Sequence, residues 1–182
     1  MHVLCCYTSL HPATAEALRR YAPGAELVDV SGAPGMYRRV LREHWDIPAD
    51  LVIIEHDIEI GAEVLPSFAA CAQPWCTYAY HVFPEPHRAL TSTGIGCVKF
   101  TAAFRRLLPW DEVTAASCRV CGALHQDHHG IDNQIYAYAD EEHGMKPHVH
   151  GEVVHHHVYE ERPLEVLIYV ESLRARGLIP SR

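Results

Sequence analysis

No stretch of this sequence approaches the roughly 18 consecutive apolar residues that a membrane span requires, so no transmembrane segment is expected. The opening Met1-His2-Val3-Leu4-Cys5-Cys6 lacks the basic start and cleavage site of a secretory leader, which points to the cytoplasm. A disulfide framework is missing as well. Seven cysteines is an odd number at irregular spacings, the usage of reduced thiols in a reducing compartment. Cys5, Cys6 and Cys97 read as small buried residues. Positive charge is in short supply: the formal net charge of −8 argues against a broad surface for nucleic acid or anionic membrane. With no internal repeat, low-complexity tract or linker, residues 1–182 read as one domain around one core.

What is present is an ordinary globular composition, 48% hydrophobic and 21% charged. The order of patterns predicts an α/β fold, with a mostly parallel central sheet flanked by helices. Val3–Tyr7 reads as a strand, and Pro12 opens a helix with Ala13, Ala17, Leu18 and Tyr21 on one face. A strand at Glu26–Val30 and a Gly/Pro loop follow, then a helix carrying Tyr37, Val40, Leu41 and His44. Leu51-Val52-Ile53-Ile54 has the continuous apolar character of a central parallel strand covered on both faces. Further on, the expected elements are a helix from Pro66 to Ala72 and strands at Cys76–Tyr80 and Gly96–Phe100. Then come a helix over Thr101–Leu108 with Phe104, Leu107 and Leu108 inward, a helix over Ile131–His143, a strand at Lys146–His150, and a closing helix over Pro163–Arg176.

The first chemical constellation is Glu55-His56-Asp57-Ile58-Glu59, directly after the central strand. In open α/β sheets ligands bind beyond the carboxyl ends of strands. In an extended segment Glu55 and Asp57 point the same way and could hold a hard divalent cation through oxygen. The alternative is a set of solvated loop acids. Histidine is the compositional oddity, with 15 in all and nine of them after residue 120. His148 and His150 share a face if extended, as do His155 and His157, so either pair could bind a metal or simply sit on a terminal strand.

A hydrophobic strand ending in an acid-x-Asp triplet resembles the metal and nucleotide-sugar motif of GT-A-fold glycosyltransferases, and Glu55-His56-Asp57 stands where that triplet stands. The likeness is to small, family-2-like, nucleotide-sugar-dependent enzymes. It extends to Val3–Thr8 as the first nucleotide-binding strand, to Gly96–Phe100 before the acceptor-side helix, to Asp132 opening a helix, and to a late histidine. The resemblance implies transfer of a sugar from a nucleoside-diphosphate donor to a hydroxyl acceptor. It implies Mn2+ or Mg2+ on Asp57 and His155, with His150 and His157 as alternatives to the latter. Thr8, Glu55 and His56 would lie beside the nucleotide, and Asp132 would be the catalytic base. The acceptor is left open among a protein, a small molecule and a modified nucleic acid, and a homodimer is compatible with so small a chain.

Other readings stay open at this stage. Asp132 could simply cap its helix. Cys118 and Cys121 with His125 and His128 carry the ligand types of a structural zinc site, or form a loop with incidental thiols. Arg38, Arg39, Arg42, Arg105 and Arg106 either meet phosphate or are solvated helix residues. Tyr37 or Trp45 either stacks on a base or packs in the core. A metal-dependent zinc hydrolase and a non-catalytic nucleotide-sugar binding domain are the rival functions.

Overall fold

Strands and helices alternate through the first half of the chain, as the hydrophobic periods require. The computed structural model describes residues 1–81, 91–115 and 130–156. Its elements are β1 (His2–Tyr7), α1 (Pro12–Tyr21), β2 (Glu26–Asp29), α2 (Met36–Trp45), β3 (Leu51–Ile54), β4 (Ile58–Glu59), α3 (Val64–Ala70) and β5 (Trp75–His81). They continue with β6 (Thr91–Ser92), β7 (Cys97–Phe100), α4 (Ala102–Leu107), α5 (Trp110–Ala115), α6 (Ile131–His143), β8 (His148–Glu152) and β9 (Val154–His155). The expected helix over Pro163–Arg176 and the Cys118, Cys121, His125, His128 group lie outside the described residues.

The main sheet has seven strands in the order β2-β1-β3-β7-β5, with β6 and β8 also pairing β5. β1 is parallel to both β2 and β3, and β8 is parallel to β5. β7 runs antiparallel to β3 and to β5, and β6 antiparallel to β5. Five strands therefore point one way and two the other, which is the mostly parallel α/β architecture that the alternation predicts.

Apolar residues of both parities explain why the sheet is covered twice. Leu4, Cys6, Leu51, Ile53, Val98 and Phe100 pack on one face against Val40, Leu41 and Trp45 of α2, Phe104 of α4, Val113 of α5 and Ile135 of α6. Cys5, Val52, Ile54, Cys76 and Cys97 face the other way, onto Ala17 and Leu18 of α1 and Phe68 of α3. All four side chains of β3 are buried completely, as its unbroken apolar run demands.

Several expectations need correction. β3 is not parallel to both neighbours, because β7 opposes it; an apolar run reports burial and carries no information on direction. α3 begins at Val64 and takes Pro66 into its first turn, where a missing N–H is harmless. Leu107 is 45% exposed instead of inward. α5 follows Pro109 directly and was not anticipated, since Pro109 reads as a stop for α4 but equally prepares the next helix start.

Arg105 is neither a phosphate ligand nor solvated, being only 2% exposed. Its Nη1 donates to the carbonyls of His44, at 2.8 Å, and Trp45, and its Nη2 to those of Ile47, at 3.0 Å, and Ala49. One guanidinium thus gathers the carbonyls between the end of α2 and the start of β3. Arg105→Ala leaves these acceptors buried and should cost about 3 kcal/mol of unfolding free energy in a denaturant titration. Arg106→Ala, on the exposed side of the same helix, should change it by less than about 0.5 kcal/mol.

Candidate functional site

The sheet order itself locates a binding crevice. From β1 the chain goes to β2 on one side, and β3 lies on the other, so the connections diverge where β1 and β3 end. Ligands of open α/β sheets occupy such switch points, outside the carboxyl ends of the strands. Tyr7-Thr8-Ser9 leaves β1 there and Glu55-His56-Asp57 leaves β3. Thr8 is exposed at this edge.

Glu55-His56-Asp57 is a turn, not the extended segment expected from the sequence, because the Ile58 N–H donates to the Glu55 carbonyl at 3.1 Å. Glu55 and Asp57 still interact, through space instead of along one strand face. After the turn, β4 pairs antiparallel with β9, setting Ile58 opposite His155, and the His156 N–H donates to the Asp57 carbonyl at 2.8 Å. This two-stranded ribbon carries the late histidine back to the β3 end, across almost a hundred residues.

His155 Nε2 lies 2.9 Å from Asp57 Oδ2, with both side chains less than a tenth exposed. Its Nδ1 is 2.8 Å from the His81 carbonyl, which can only accept, so Nδ1 carries the proton and donates. That bond fixes the ring so that Nε2 faces the carboxylate, the arrangement that orients a metal-binding imidazole. Burial pushes the Asp57 carboxyl upwards, but the hydrogen bond and charge of His155, with His56 adding to them, hold it below its ordinary value. Burial likewise lowers His155, yet the bond to Asp57 and its charge leave it raised. Asp57 Oδ1 is buried and accepts no hydrogen bond among the described residues. A buried carboxylate oxygen with no partner is costly. An oxygen in that condition next to a fixed imidazole nitrogen fits a divalent cation.

Glu55 accepts a hydrogen bond from the Tyr37 hydroxyl at 3.2 Å. Burial first, then the nearby charges of Asp57 and Asp132, push its carboxyl up to about 7. A carboxyl raised in the folded state stabilises the fold below its unfolded value, and that contribution is lost as pH rises through the folded one. In chelator, Glu55→Gln should therefore leave the melting temperature nearly unchanged near pH 4.5 and raise it increasingly towards pH 8, and saturating manganese should shrink the difference. Parallel melting curves at all pH values would refute this.

Asp132 sits in the first turn of α6 behind Gly130, whose φ of 85° suits glycine. Its Oδ1 accepts from the Asn133 N–H at 2.7 Å within the first turn, where a negative charge suits the helix dipole, while the N-cap itself is Gly130 and carries no side-chain capping bond. Its Oδ2 faces elsewhere: a Cβ placed on Gly94 would lie 3.3 Å from it and 2.7 Å from the Tyr80 hydroxyl. A Cβ on Gly96 would meet the Tyr80 ring at 2.7 Å. The two glycines let segment 93–96, between β6 and β7, close on Tyr80 and Asp132. The Glu55 N–H in turn donates to the Gly96 carbonyl at 2.8 Å. Burial, Glu55 and Asp132 together push the Tyr80 hydroxyl well above its ordinary value.

Glu55, Asp57, Asp132 and His155 thus converge on one patch at the sheet edge, with His56 beside Asp57 and Thr8 at the neighbouring strand end. Of the other late histidines, His150 lies on a different part of the molecule, against Tyr78 and Phe68, and His157 is outside the described residues. His156 stacks on His11 at 4.1 Å and meets Glu59 at 2.8 Å. Trp45 is a core residue, 1% exposed. Tyr37, weighed from the sequence as a base-stacking or core residue, packs against the core and donates to Glu55, whereas Tyr80, Gly94 and Gly96 were not singled out as site residues. The Gly94-Ile95-Gly96 spacing just before a strand was the available sign of a close backbone approach.

No family model matches this chain, and no curated protein does. Among solved structures it is similar to a glycosyltransferase involved in the glycosylation of the major capsid of PBCV-1, at 10% identity and a TM-score of 0.49, over 94% of this chain and 99% of that one. It is also similar to a protein from STIV, at 12% identity and a TM-score of 0.47, over 84% of this chain and 83% of that one. Both likenesses are too distant to assign an activity.

Proposed function

We propose that this chain is a metal-dependent glycosyltransferase of the GT-A type, moving a sugar from a nucleoside-diphosphate sugar to a hydroxyl acceptor. The observation that carries the reading is the Asp57–His155 pair at the switch point, with one buried carboxylate oxygen unpartnered among the described residues and a second acid, Asp132, on the facing helix. Asp57 and His155 would hold Mn2+ or Mg2+, which when bound neutralises the charge gathering on the leaving diphosphate. The ends of β1 and β3, at Thr8, Glu55 and His56, would border the nucleotide. Asp132 would accept the acceptor hydroxyl's proton as its oxygen bonds to the anomeric carbon and the bond from that carbon to the diphosphate breaks. Displacement of this kind inverts the anomeric centre.

Glu55 has a distinct part in this scheme. Raised to about 7 by burial and by the charges of Asp57 and Asp132, its carboxyl would keep a proton in about half of the metal-free molecules at neutral pH and could then donate a hydrogen bond to the nucleotide. The hydrolase alternative is less well supported. Water activation by zinc calls for about three protein ligands. Among the described residues, the groups of three ligand atoms within 4.8 Å of one another lie away from Asp57.

The test is release of free nucleoside diphosphate from a panel of nucleotide sugars, with manganese and with chelator. Metal-dependent release from one donor, accelerated by added acceptor alcohols, is the expected result. Release from none of the panel, by protein shown to be folded, would overturn the proposal.

A further inference from the structure

On the opposite part of the sheet, three neighbouring strands set Lys99 of β7, Cys76 of β5 and His148 of β8 in one row, through the pairings of Cys76 with Lys99 and with His148. Residues paired across a ladder face the same side, so His150, two positions beyond His148, shares that face. α3 lies over it, with Phe68 edge-on to Tyr78 at 5.5 Å and to His150 at 5.9 Å. The helix ends at Cys71, and the buried Lys99 ammonium donates to the carbonyls of Phe68 and Cys71, both at 2.7 Å. That grip holds Cys71 above Cys76.

The ligand atoms of Cys71, Cys76 and His150 all lie within 4.8 Å of one another. A tetrahedral zinc with Zn–S bonds of about 2.3 Å sets two sulfurs roughly 3.8 Å apart, so small side-chain rotations suffice to close the set. His150 Nε2 is buried and has no hydrogen-bond partner among the described residues. The His148 ring is 4.7 Å from that of His150, and both, with Cys71 and Ser67, line an open cavity of about 410 Å³. The cavity gives an ion a route in and leaves His148 free to swing towards it.

We propose that Cys71, Cys76 and His150, completed by His148, form a zinc site that staples the end of α3 to β5 and β8. Two thiolates and imidazole select zinc over manganese and magnesium, which prefer oxygen, so this site differs in metal as well as in place from Asp57. Burial and the hydrogen bond with Cys71 push the Cys76 thiol up to about 12, partly offset by the Lys99 ammonium, so a bound zinc would have to displace the proton itself. β8 continues through Val153 into β9, so the staple anchors the strand that delivers His155. The proposal does not depend on the transferase reading.

Cobalt is the probe. The full-length protein, reduced and stripped with chelator, is titrated with Co2+ and followed by absorption. One equivalent should give the visible bands of tetrahedral cobalt and a thiolate-to-cobalt charge-transfer band, both removed by one equivalent of Zn2+. Cys71→Ser and His150→Ala should each weaken cobalt binding at least tenfold, and Asp57→Asn should leave the charge-transfer band intact. Circular dichroism confirms that each variant is folded, and Cys71→Ser, at the helix end, is the milder change. Absence of the band in folded wild-type protein would overturn the proposal. So would cobalt affinity and charge-transfer intensity left unchanged by Cys71→Ser, which would place the thiolates elsewhere, or a Cys71–Cys76 disulfide persisting in reducing buffer.

Discussion

Asp57→Asn should lower nucleotide-sugar turnover by roughly 10³-fold or more, about 4 kcal/mol of transition-state stabilisation, while the protein remains folded. Asparagine keeps the shape of the side chain and can still accept a hydrogen bond from His155, but it removes the charge that would hold a divalent cation. The same substitution has a signature in stability. Asp57 is depressed and His155 raised by their contact. Their mutual stabilisation is lost as pH falls through the depressed Asp57 value and also as pH rises through the raised His155 value. In chelator, wild type should therefore exceed Asp57→Asn in melting temperature most clearly between the ordinary carboxylate and imidazole ranges, with the gap closing above neutral pH. Full turnover by the variant would remove Asp57 from the mechanism.

The second large effect is expected at Asp132. Asp132→Asn should reduce kcat by about 10²- to 10⁴-fold, the usual contribution of a positioned general base, with little change in the donor KM. The acid limb of the pH–rate profile should go with it. Asparagine's side-chain oxygen can keep the 2.7 Å bond from the Asn133 N–H, so only the charge in the first turn of α6 is lost and the melting temperature should move little. This separates the two roles that one carboxylate fills here, with Oδ1 turned to its own helix and Oδ2 towards Gly94 and Tyr80. A variant that loses stability but keeps kcat would show that Asp132 only supports the first turn of α6.

Elements whose cause is local were legible in the sequence. Pro12 at the first helical position, the unbroken apolar run of β3 and the helical spacing of Ile131–His143 each specify structure within a dozen residues, and each is found where expected. The placement of Glu55 and Asp57 at a strand end was equally readable. The direction of β7 was not, because strand polarity depends on which neighbours the strand meets. Nor was the turn at Glu55, which one backbone bond to Ile58 creates.

Long-range pairings account for the rest of what the sequence concealed. His155 is the first choice among the late histidines of the sequence, with His150 and His157 as alternatives, and only the β4–β9 ribbon sets it against Asp57. Arg105 looked like any helix-surface arginine, and its burial follows from carbonyls supplied some sixty residues earlier. Cys71 and Cys76 flank the short link between α3 and β5, but their third partner comes from β8, more than seventy residues on. In each case one member of the group is visible locally and its partner arrives only with the fold.

The most direct test of the central claim is calorimetric titration of the protein with the common nucleoside diphosphates, in manganese and again in chelator, alongside Asp57→Asn. One nucleotide should bind the wild type in manganese, bind far more weakly in chelator, and fail to bind the variant in either. Binding of equal strength with and without metal, or binding that survives Asp57→Asn, would contradict the assignment of the Asp57–His155 pair as the cation-dependent donor site.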